Sequence, residues 1–207
     1  MIVGIVFATK MEAEPFFAKT DSKQISERPF ALFKAPVPGH NTPCFLVICG
    51  MGKIMAALAT QLLIREHQAT MVVNAGVCGA LTEGIETGSV FRIMETWEAD
   101  ADKTAGKVLQ VVSPEKAWGS LKGARLATND SPLFDIERRK KLARHAELVD
   151  MEGAAVARTA AMYGVPCSLI KGVTDFAHQD SREALHRNLK EVSQKIASIL
   201  IEGMPEK

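Results

Sequence analysis

Short apolar segments alternate with helical segments along this chain, and several of the apolar segments end in a carboxylate or a glycine. The clearest case lies in residues 148–178. A first apolar run ends there at Asp150 and Glu152, and after an Ala-rich helix a second run, residues 166–173, leads to Asp175. Runs that are apolar on both faces are typical of strands covered by helices. Because open α/β sheets form ligand crevices at strand ends, the pattern predicts an α/β fold with acids at a crevice.

Length and charge narrow the class of protein further. A length of 207 residues predicts a single domain, residues 1–207, that is large enough to bury a hydrophobic core. Its net charge of +1 gives no reason to expect nucleic acid or an anionic membrane surface as a partner. The apolar runs are shorter than a membrane span, and the N-terminus reaches acidic residues at once, unlike a signal peptide. We therefore expect a cytoplasmic protein.

The four cysteines, Cys44, Cys49, Cys78 and Cys167, lie in apolar or Gly-rich settings without a C-x-x-C pair. This spacing favours reduced, buried thiols over a disulfide or a zinc site.

The first strand, predicted at residues 2–7, is followed by Glu12 and Glu14 in the first turns of a helix. Acids at this end of a helix stabilise its dipole, so helix capping is enough to explain them. A carboxylate just beyond a first strand could also act as a catalytic base facing the crevice.

Two glycine-bearing segments follow apolar runs. Residues 50–53 read Gly-Met-Gly-Lys and open a helix predicted over residues 53–67, and a strand at residues 71–75 leads into a predicted loop at residues 76–79. Glycine lets the backbone approach a ligand closely, and exposed N–H groups can bind an anion. The first segment lacks the third glycine of a dinucleotide fingerprint and the G-K-[ST] of a P-loop, so it is weak evidence for phosphate binding.

The remaining segments complete the layout. Further strands are predicted at residues 30–34, 44–48 and 88–96, the first two as a possible hairpin. A basic surface helix is predicted at residues 136–146, and a long amphipathic helix follows Ser181. The acidic loop with Asp100 and Asp102 has no histidine nearby, so it indicates a solvated or interface segment rather than a metal site.

Six short motifs occur together in order along the chain: residues 11–14, 50–53, 74–79, 100–102, 149–154 and 174–175. This combination resembles the nucleoside phosphorylase/nucleosidase superfamily, and within it most closely the 5′-methylthioadenosine/S-adenosylhomocysteine nucleosidases. The resemblance implies a three-layer α/β/α sandwich around a mixed, twisted sheet, usually in a homodimer.

The same resemblance implies roles for individual residues. Glu14 would activate the attacking water, Asp175 would protonate the purine at N7, and Glu152 would bind the ribose hydroxyls. The Thr174 hydroxyl could hold Asp175. Residues 128–134 form the loop expected to stack an aromatic ring on the base, and Phe134 is the nearest aromatic residue there. Other substrate contacts implied by the resemblance are Met51, Val77, Cys78, Gly79 and Met151.

The implied reaction is hydrolysis of an N-glycosidic bond, and these residue types suit it. Protonating the base as it leaves requires an acid, and a carboxylate beside the ribose can stabilise the positive sugar. Neither a metal nor an organic cofactor is needed. Phosphorylases of the superfamily bind phosphate with arginines, whereas Glu12 and Glu14 would repel it.

Three alternatives stay open. Residues 11–13 and 151–155 also resemble futalosine hydrolases, and in that comparison Glu12 competes with Glu14 for the functional role. A phosphate-dependent purine nucleoside phosphorylase and a non-catalytic nucleoside-binding protein are the other two.

Overall fold

The computed structural model describes the backbone of residues 1–101, 109–110, 118–177 and 181–205. Within these ranges the elements are β1 (Val3–Phe7), α1 (Lys10–Phe17), β2 (Lys23–Ser26), β3 (Ala31–Lys34), β4 (Cys44–Ile48), α2 (Lys53–Arg65), β5 (Met71–Ala80), β6 (Val90–Glu98), β7 (Leu109–Gln110), β8 (Lys122–Thr128), α3 (Ile136–Leu142), β9 (Leu148–Asp150), α4 (Gly153–Met162), β10 (Cys167–Asp175) and α5 (Ser181–Glu202). The predicted α/β class is confirmed.

These strands join one mixed sheet. β1, β4, β5 and β10 run parallel, and β6, β8 and β9 run in the opposite direction. β3 pairs antiparallel with β4, which confirms the predicted hairpin, and β2 extends that edge. β1 and β10 are buried along their whole length, as their largely apolar sequences predict.

β5 is the strand on which the sheet divides. It pairs with β1 as far as Asn74, with β10 as far as Gly79, and with β9 at Gly79 and Ala80. Because β10 also pairs with β6, β6 with β8, and β8 with β9, this branch of the sheet closes on itself. The prediction of a loop at residues 76–79 is wrong, since β10 keeps these residues in the ladder. The closure brings the ends of β9 and β10 to the same point, although the two strands run in opposite directions.

Helices cover both faces of the sheet, which confirms the three-layer architecture. α2 and α4 pack on one face through small side chains such as Ala56, Ala59 and Ala160, which permit close approach. On the other face α5 packs through Val192 and Ile196, spaced as its amphipathic pattern predicts, beside α1. None of the helices in the described ranges has the length and apolarity required to cross a bilayer.

The four cysteines are buried, as predicted, and are free thiols in the structure. Burial raises the pKa of Cys44, Cys49 and Cys167 to about 12, so these thiols stay neutral at physiological pH. They behave as small core side chains.

Candidate active site

Glu12 is buried at the start of α1, with only 6% of its surface exposed. Its Oε2 accepts hydrogen bonds from the Thr9 backbone N–H and from the Thr9 hydroxyl, both at 2.8 Å, and Thr9 in turn caps the helix. Its Oε1 accepts a hydrogen bond from the N–H of Val77 at 3.0 Å. Glu12 is therefore both a capping residue and a carboxylate fixed against β5.

Glu14 lies on the exposed side of α1. Two residues along a helix turn the side chain through about 200°, so Glu12 and Glu14 cannot both face the sheet. Of the two acids that the sequence left in competition, the structure brings Glu12 into the interior and leaves Glu14 in solvent.

Asp175 ends β10 and is buried to the same degree as Glu12. Its Oδ2 accepts a hydrogen bond from the Thr174 hydroxyl at 2.8 Å, and its Oδ1 accepts one from the Ala177 N–H at 2.8 Å. A methyl group at Gly79 would come within 3.1 Å of Oδ1, so Asp175 stands directly beside the end of β5. The contact that the sequence analysis expected between Thr174 and Asp175 is present.

Glu152 precedes α4 and is equally buried, but its carboxylate does not cap that helix. Its Oε1 instead accepts a hydrogen bond from the Gly52 N–H at 2.9 Å. Gly52 has φ +99°, a backbone conformation that favours glycine, and this conformation directs the N–H of the Gly-Met-Gly-Lys turn to Glu152. Burial raises the pKa of Glu152 to about 7, with a further rise from Asp150, whereas Lys171 and the Gly52 hydrogen bond act in the opposite direction.

The segment of β5 between these acids consists of Gly76, Val77, Cys78 and Gly79. A side chain at Gly76 would collide with Glu12, because its Cβ would lie 2.7 Å from Oε1. Val77 is half-buried, and Cys78 and Gly79 are buried. The glycines predicted to form a loop allow acids from α1 and β10 to approach a continuous strand.

Lys171 is a buried cation that the sequence analysis did not identify. It lies in the middle of β10 with 1% of its side chain exposed, and its Nζ is 2.7 Å from Oδ2 of Asp150. Asp150 also accepts hydrogen bonds from the Thr128 hydroxyl at 2.6 Å and from the Gly153 N–H at 2.8 Å. The available signal was a single lysine inside an otherwise apolar strand.

Lys53 links the glycine turn to the neighbouring loops. Its Nζ lies 2.7 Å from Asp100 and 3.2 Å from Glu98, and its N–H donates to Asp130 at 2.9 Å. Asp100 is thus held by a lysine rather than solvated alone, and Asp102 lies outside the described residues. Across the described part of the chain, no three His, Cys, Asp or Glu side chains are grouped as a metal site.

The other predicted substrate contacts are less closely associated with the buried acids. Met51 is largely exposed beside the glycine turn, and Met151 is half-buried between Asp150 and Glu152. Phe134 is half-buried in the segment between β8 and α3. Its neighbour Leu133 belongs to the apolar cluster that contains Ala177, two residues after Asp175.

The family model of the phosphorylase superfamily matches residues 2–202. The chain belongs to this superfamily. A 5′-methylthioadenosine/S-adenosylhomocysteine nucleosidase of Staphylococcus aureus is 28% identical, over 93% of this chain and 94% of the relative. The resemblance predicted from six short motifs is therefore confirmed at the level of the family.

Solved structures of the phosphorylase superfamily share the fold. The same kind of nucleosidase from Neisseria meningitidis, in complex with methylthio-immucillin-A, aligns with a TM-score of 0.88, 25% identity and coverage of 97% of both chains. Futalosine hydrolase of Helicobacter pylori aligns with a TM-score of 0.89 and 22% identity, over 97% of this chain and 95% of that one.

Proposed function

We propose that this protein is a purine-nucleoside N-ribosyl hydrolase acting on 5′-methylthioadenosine, S-adenosylhomocysteine or a close relative. The observation that carries the proposal is that three buried carboxylates, Glu12, Glu152 and Asp175, surround the end of β5 and the turn at Gly52. The nucleosidase relatives, which the chain matches over nearly its whole length, support the same reaction.

Asp175 is the proposed general acid. A purine leaves as a poor anion, so delivering a proton to N7 lowers the barrier to breaking the glycosidic bond. The hydrogen bonds from Thr174 and Ala177 fix both oxygens of the carboxyl group, so its orientation is set before the substrate binds. Thr174 thereby acts as a positioning residue for the acid.

Glu12 replaces Glu14 as the proposed water-activating base, because it is the acid that reaches the interior. Its three hydrogen bonds hold it beside Val77, on the opposite edge of β5 from β10. A bound water needs only modest activation once positive charge has developed on the sugar. Met51, Met151, Val77, Cys78 and Gly79 remain proposed walls of the pocket, and Phe134 remains the proposed stacking residue.

Glu152 is proposed to bind the ribose hydroxyls. A buried carboxylate next to the sugar accepts their hydrogen bonds and stabilises an oxocarbenium-like transition state. Since the pKa of Glu152 is raised to about 7, the ionised form that does this is lost as the pH falls below neutrality. The acid limb of the pH profile of kcat/KM is therefore expected near neutral pH.

Hydrolysis suits this pocket better than phosphorolysis. The carboxylates of Glu12 and Glu152 would repel a phosphate dianion. The buried cation among them, Lys171, is held by Asp150 and has 1% of its side chain exposed, so it is not available to bind phosphate.

The expected product decides between the two reactions. With 5′-methylthioadenosine, S-adenosylhomocysteine, adenosine and inosine as candidate substrates, we expect release of free base and a reducing sugar at a rate that phosphate does not change. The measurement is base release by chromatography in phosphate-free buffer and in added phosphate. A requirement for phosphate with formation of a sugar 1-phosphate would make the protein a phosphorylase. Binding of adenosine analogues by calorimetry without cleavage of any candidate would favour the non-catalytic alternative.

Futalosine is the second candidate substrate. The segment that resembles futalosine hydrolases, residues 11–13, contains Glu12, which is the acid of α1 that the fold buries. A parallel assay with futalosine separates the candidates, because the hydrolysed substrate will have the higher kcat/KM by orders of magnitude.

We also propose that the protein forms a homodimer through α2. Ile54 and Leu58 lie one helical turn apart on α2 and are exposed, Ile54 by 70%, and the exposed Met51 lies just before the helix, so the three form an apolar stripe. Contiguous apolar surface of this kind marks an interaction site in soluble proteins. The stripe adjoins the glycine turn that holds Glu152, so a second copy would also cover the edge of the pocket.

Ile54→Glu combined with Leu58→Glu is expected to convert a dimer into a monomer, because the charges would be buried in the interface without partners. Sedimentation equilibrium measures the mass. Ile25→Glu, on the edge strand β2 and also exposed, is the matched control and should remain dimeric. A wild-type chain that stays monomeric at high concentration would refute the dimer.

A further inference from the structure

Lys171 has an environment that an isolated ammonium group could not tolerate. Every residue of β10 is buried, and the Lys171 side chain has 1% of its surface exposed. Burying a charge without a partner is strongly unfavourable, so a lysine here must be held by acids. Although burial lowers the pKa of Lys171, the charges of Asp150, Glu152 and Glu12 outweigh burial and the net pKa is raised.

The acids around Lys171 come from three elements. Asp150 at the end of β9 makes the direct ion pair at 2.7 Å. Glu12, from α1, and the Lys171 ammonium both approach Gly76, whose Cβ position lies 2.7 Å from Glu12 Oε1 and 3.8 Å from Lys171 Nζ. Glu152 follows Asp150 by two residues and binds the Gly52 N–H at the start of α2. The Lys171 ammonium thus interacts electrostatically with three carboxylates, and two of these are proposed to act in the reaction.

Asp150 also caps the helix that follows Glu152. The Gly153 N–H donates to Asp150, and the Ala154 N–H donates to the Thr128 hydroxyl, which itself donates to Asp150. These two contacts satisfy N–H groups in the first turn of α4 that the preceding side chain often caps. The Glu152 carboxylate consequently does not cap α4, and it accepts the hydrogen bond from the Gly52 N–H instead.

We propose that Lys171 is a positioning residue of the active site: its ion pair with Asp150 holds the turn that presents Glu152, and its positive charge favours the ionised form of Glu152. The role of Glu152 in the reaction rests on the proposed function, but the effect of the Lys171 charge on the ionisation of Glu152 does not. Lys171 touches no substrate in this proposal. It acts through Asp150 and through the electrostatic potential at the Glu152 carboxylate.

The charges around Glu152 have opposite signs, so removing Lys171 and removing Asp150 should shift the pKa of Glu152 in opposite directions. Burial, Asp150 on β9 and Glu12 on α1 raise the pKa of Glu152, and Lys171 on β10 and the N–H of Gly52, just before α2, lower it. Lys53, also at the start of α2, is occupied by Glu98 and Asp100. Lys171→Met therefore raises the pKa of Glu152, by about one to two units, because an adjacent opposite charge is lost. Asp150→Asn lowers it, because a like charge is lost.

The test is a ¹³C NMR titration of glutamate carboxyl groups, with the Glu152 signal assigned by its absence in Glu152→Gln. We expect the midpoint to move up in Lys171→Met, down in Asp150→Asn, and by less than about 0.5 units in Lys171→Arg, which keeps the charge. A midpoint that stays in place in Lys171→Met, or moves in the same direction as in Asp150→Asn, would overturn the proposal. Should Lys171→Met fail to fold, Lys171→Gln takes its place, because its amide can still donate to Asp150 without a charge, and an unchanged Glu152 midpoint there would overturn the proposal equally.

The pH profile of kcat/KM for base release adds the functional half of the test. Its acid limb should move with the NMR midpoint in each variant, whereas a purely structural role would lower activity at every pH by the same factor. If the wild-type protein cleaves no nucleoside, the proposed function is refuted. The charge relationship between Lys171 and Glu152 can still be tested, since the NMR titration needs no turnover. An acid limb that stays fixed while the NMR midpoint moves would overturn the role of Lys171 in the reaction.

Discussion

Glu12→Gln is expected to lower kcat for base release by about 10²–10³-fold, the effect of losing a positioned general base. Glu14→Gln, two residues further along the same helix, is expected to stay within about threefold of the wild type, as exposed substitutions usually do. The contrast rests on burial: the Glu12 carboxylate is 6% exposed and receives hydrogen bonds from Thr9 and Val77, whereas Glu14 lies in solvent.

The Glu12 variant needs a control for folding, because the carboxylate also belongs to the capping box of α1. A glutamine amide would set an NH₂ group against the donors of Thr9 or Val77, at a cost of about 1–3 kcal/mol. Thermal unfolding of both variants measures this cost, and activity is compared where each remains folded. If Glu14→Gln loses turnover while Glu12→Gln keeps it, the base is Glu14 and α1 must rotate when substrate binds.

The choice between these two acids shows where the sequence stops being informative. Glu12 shares a helix face with Phe16, and Glu14 lies near Phe17 on the other side. With a phenylalanine available to either face, the apolar pattern of an eight-residue helix does not say which side packs. Tertiary contacts determine which side of the helix packs. Phe16 is buried in the core against β1, so Glu12, on the same helix face, also points inward.

Other parts of the site were predictable because single segments encode them. The positions of Glu152 and Asp175 at strand ends follow from apolar runs that stop at an acid, and the contact of Thr174 with Asp175 is local. The closed branch of the sheet and the strand through residues 76–79 were not predictable, because glycines that favour a turn locally are held in strand by pairing with β10. Lys171 was visible in the sequence, but the acid that neutralises it lies on another strand.

Asp175→Asn is expected to lower kcat for a purine nucleoside by about 10²–10⁴-fold while leaving substrate binding largely intact. Asparagine has the same shape as aspartate, and its oxygen can still accept from the Ala177 N–H while its amide donates to the Thr174 hydroxyl. The fold should therefore survive the change. The side chain can no longer deliver a proton to the leaving base, so the loss falls on the chemical step.

A substrate whose leaving group needs no proton distinguishes proton delivery from mere orientation of the base. With 4-nitrophenyl riboside, Asp175→Asn should remain within about tenfold of the wild type, because nitrophenolate departs unaided, whereas Glu12→Gln should stay slow because water must still be activated. Initial rates with the riboside and with 5′-methylthioadenosine give the comparison for each variant. A missing proton can slow only the reaction that requires one. An equal loss of rate on both substrates in Asp175→Asn would therefore contradict the general-acid role and indicate that Asp175 only binds the substrate.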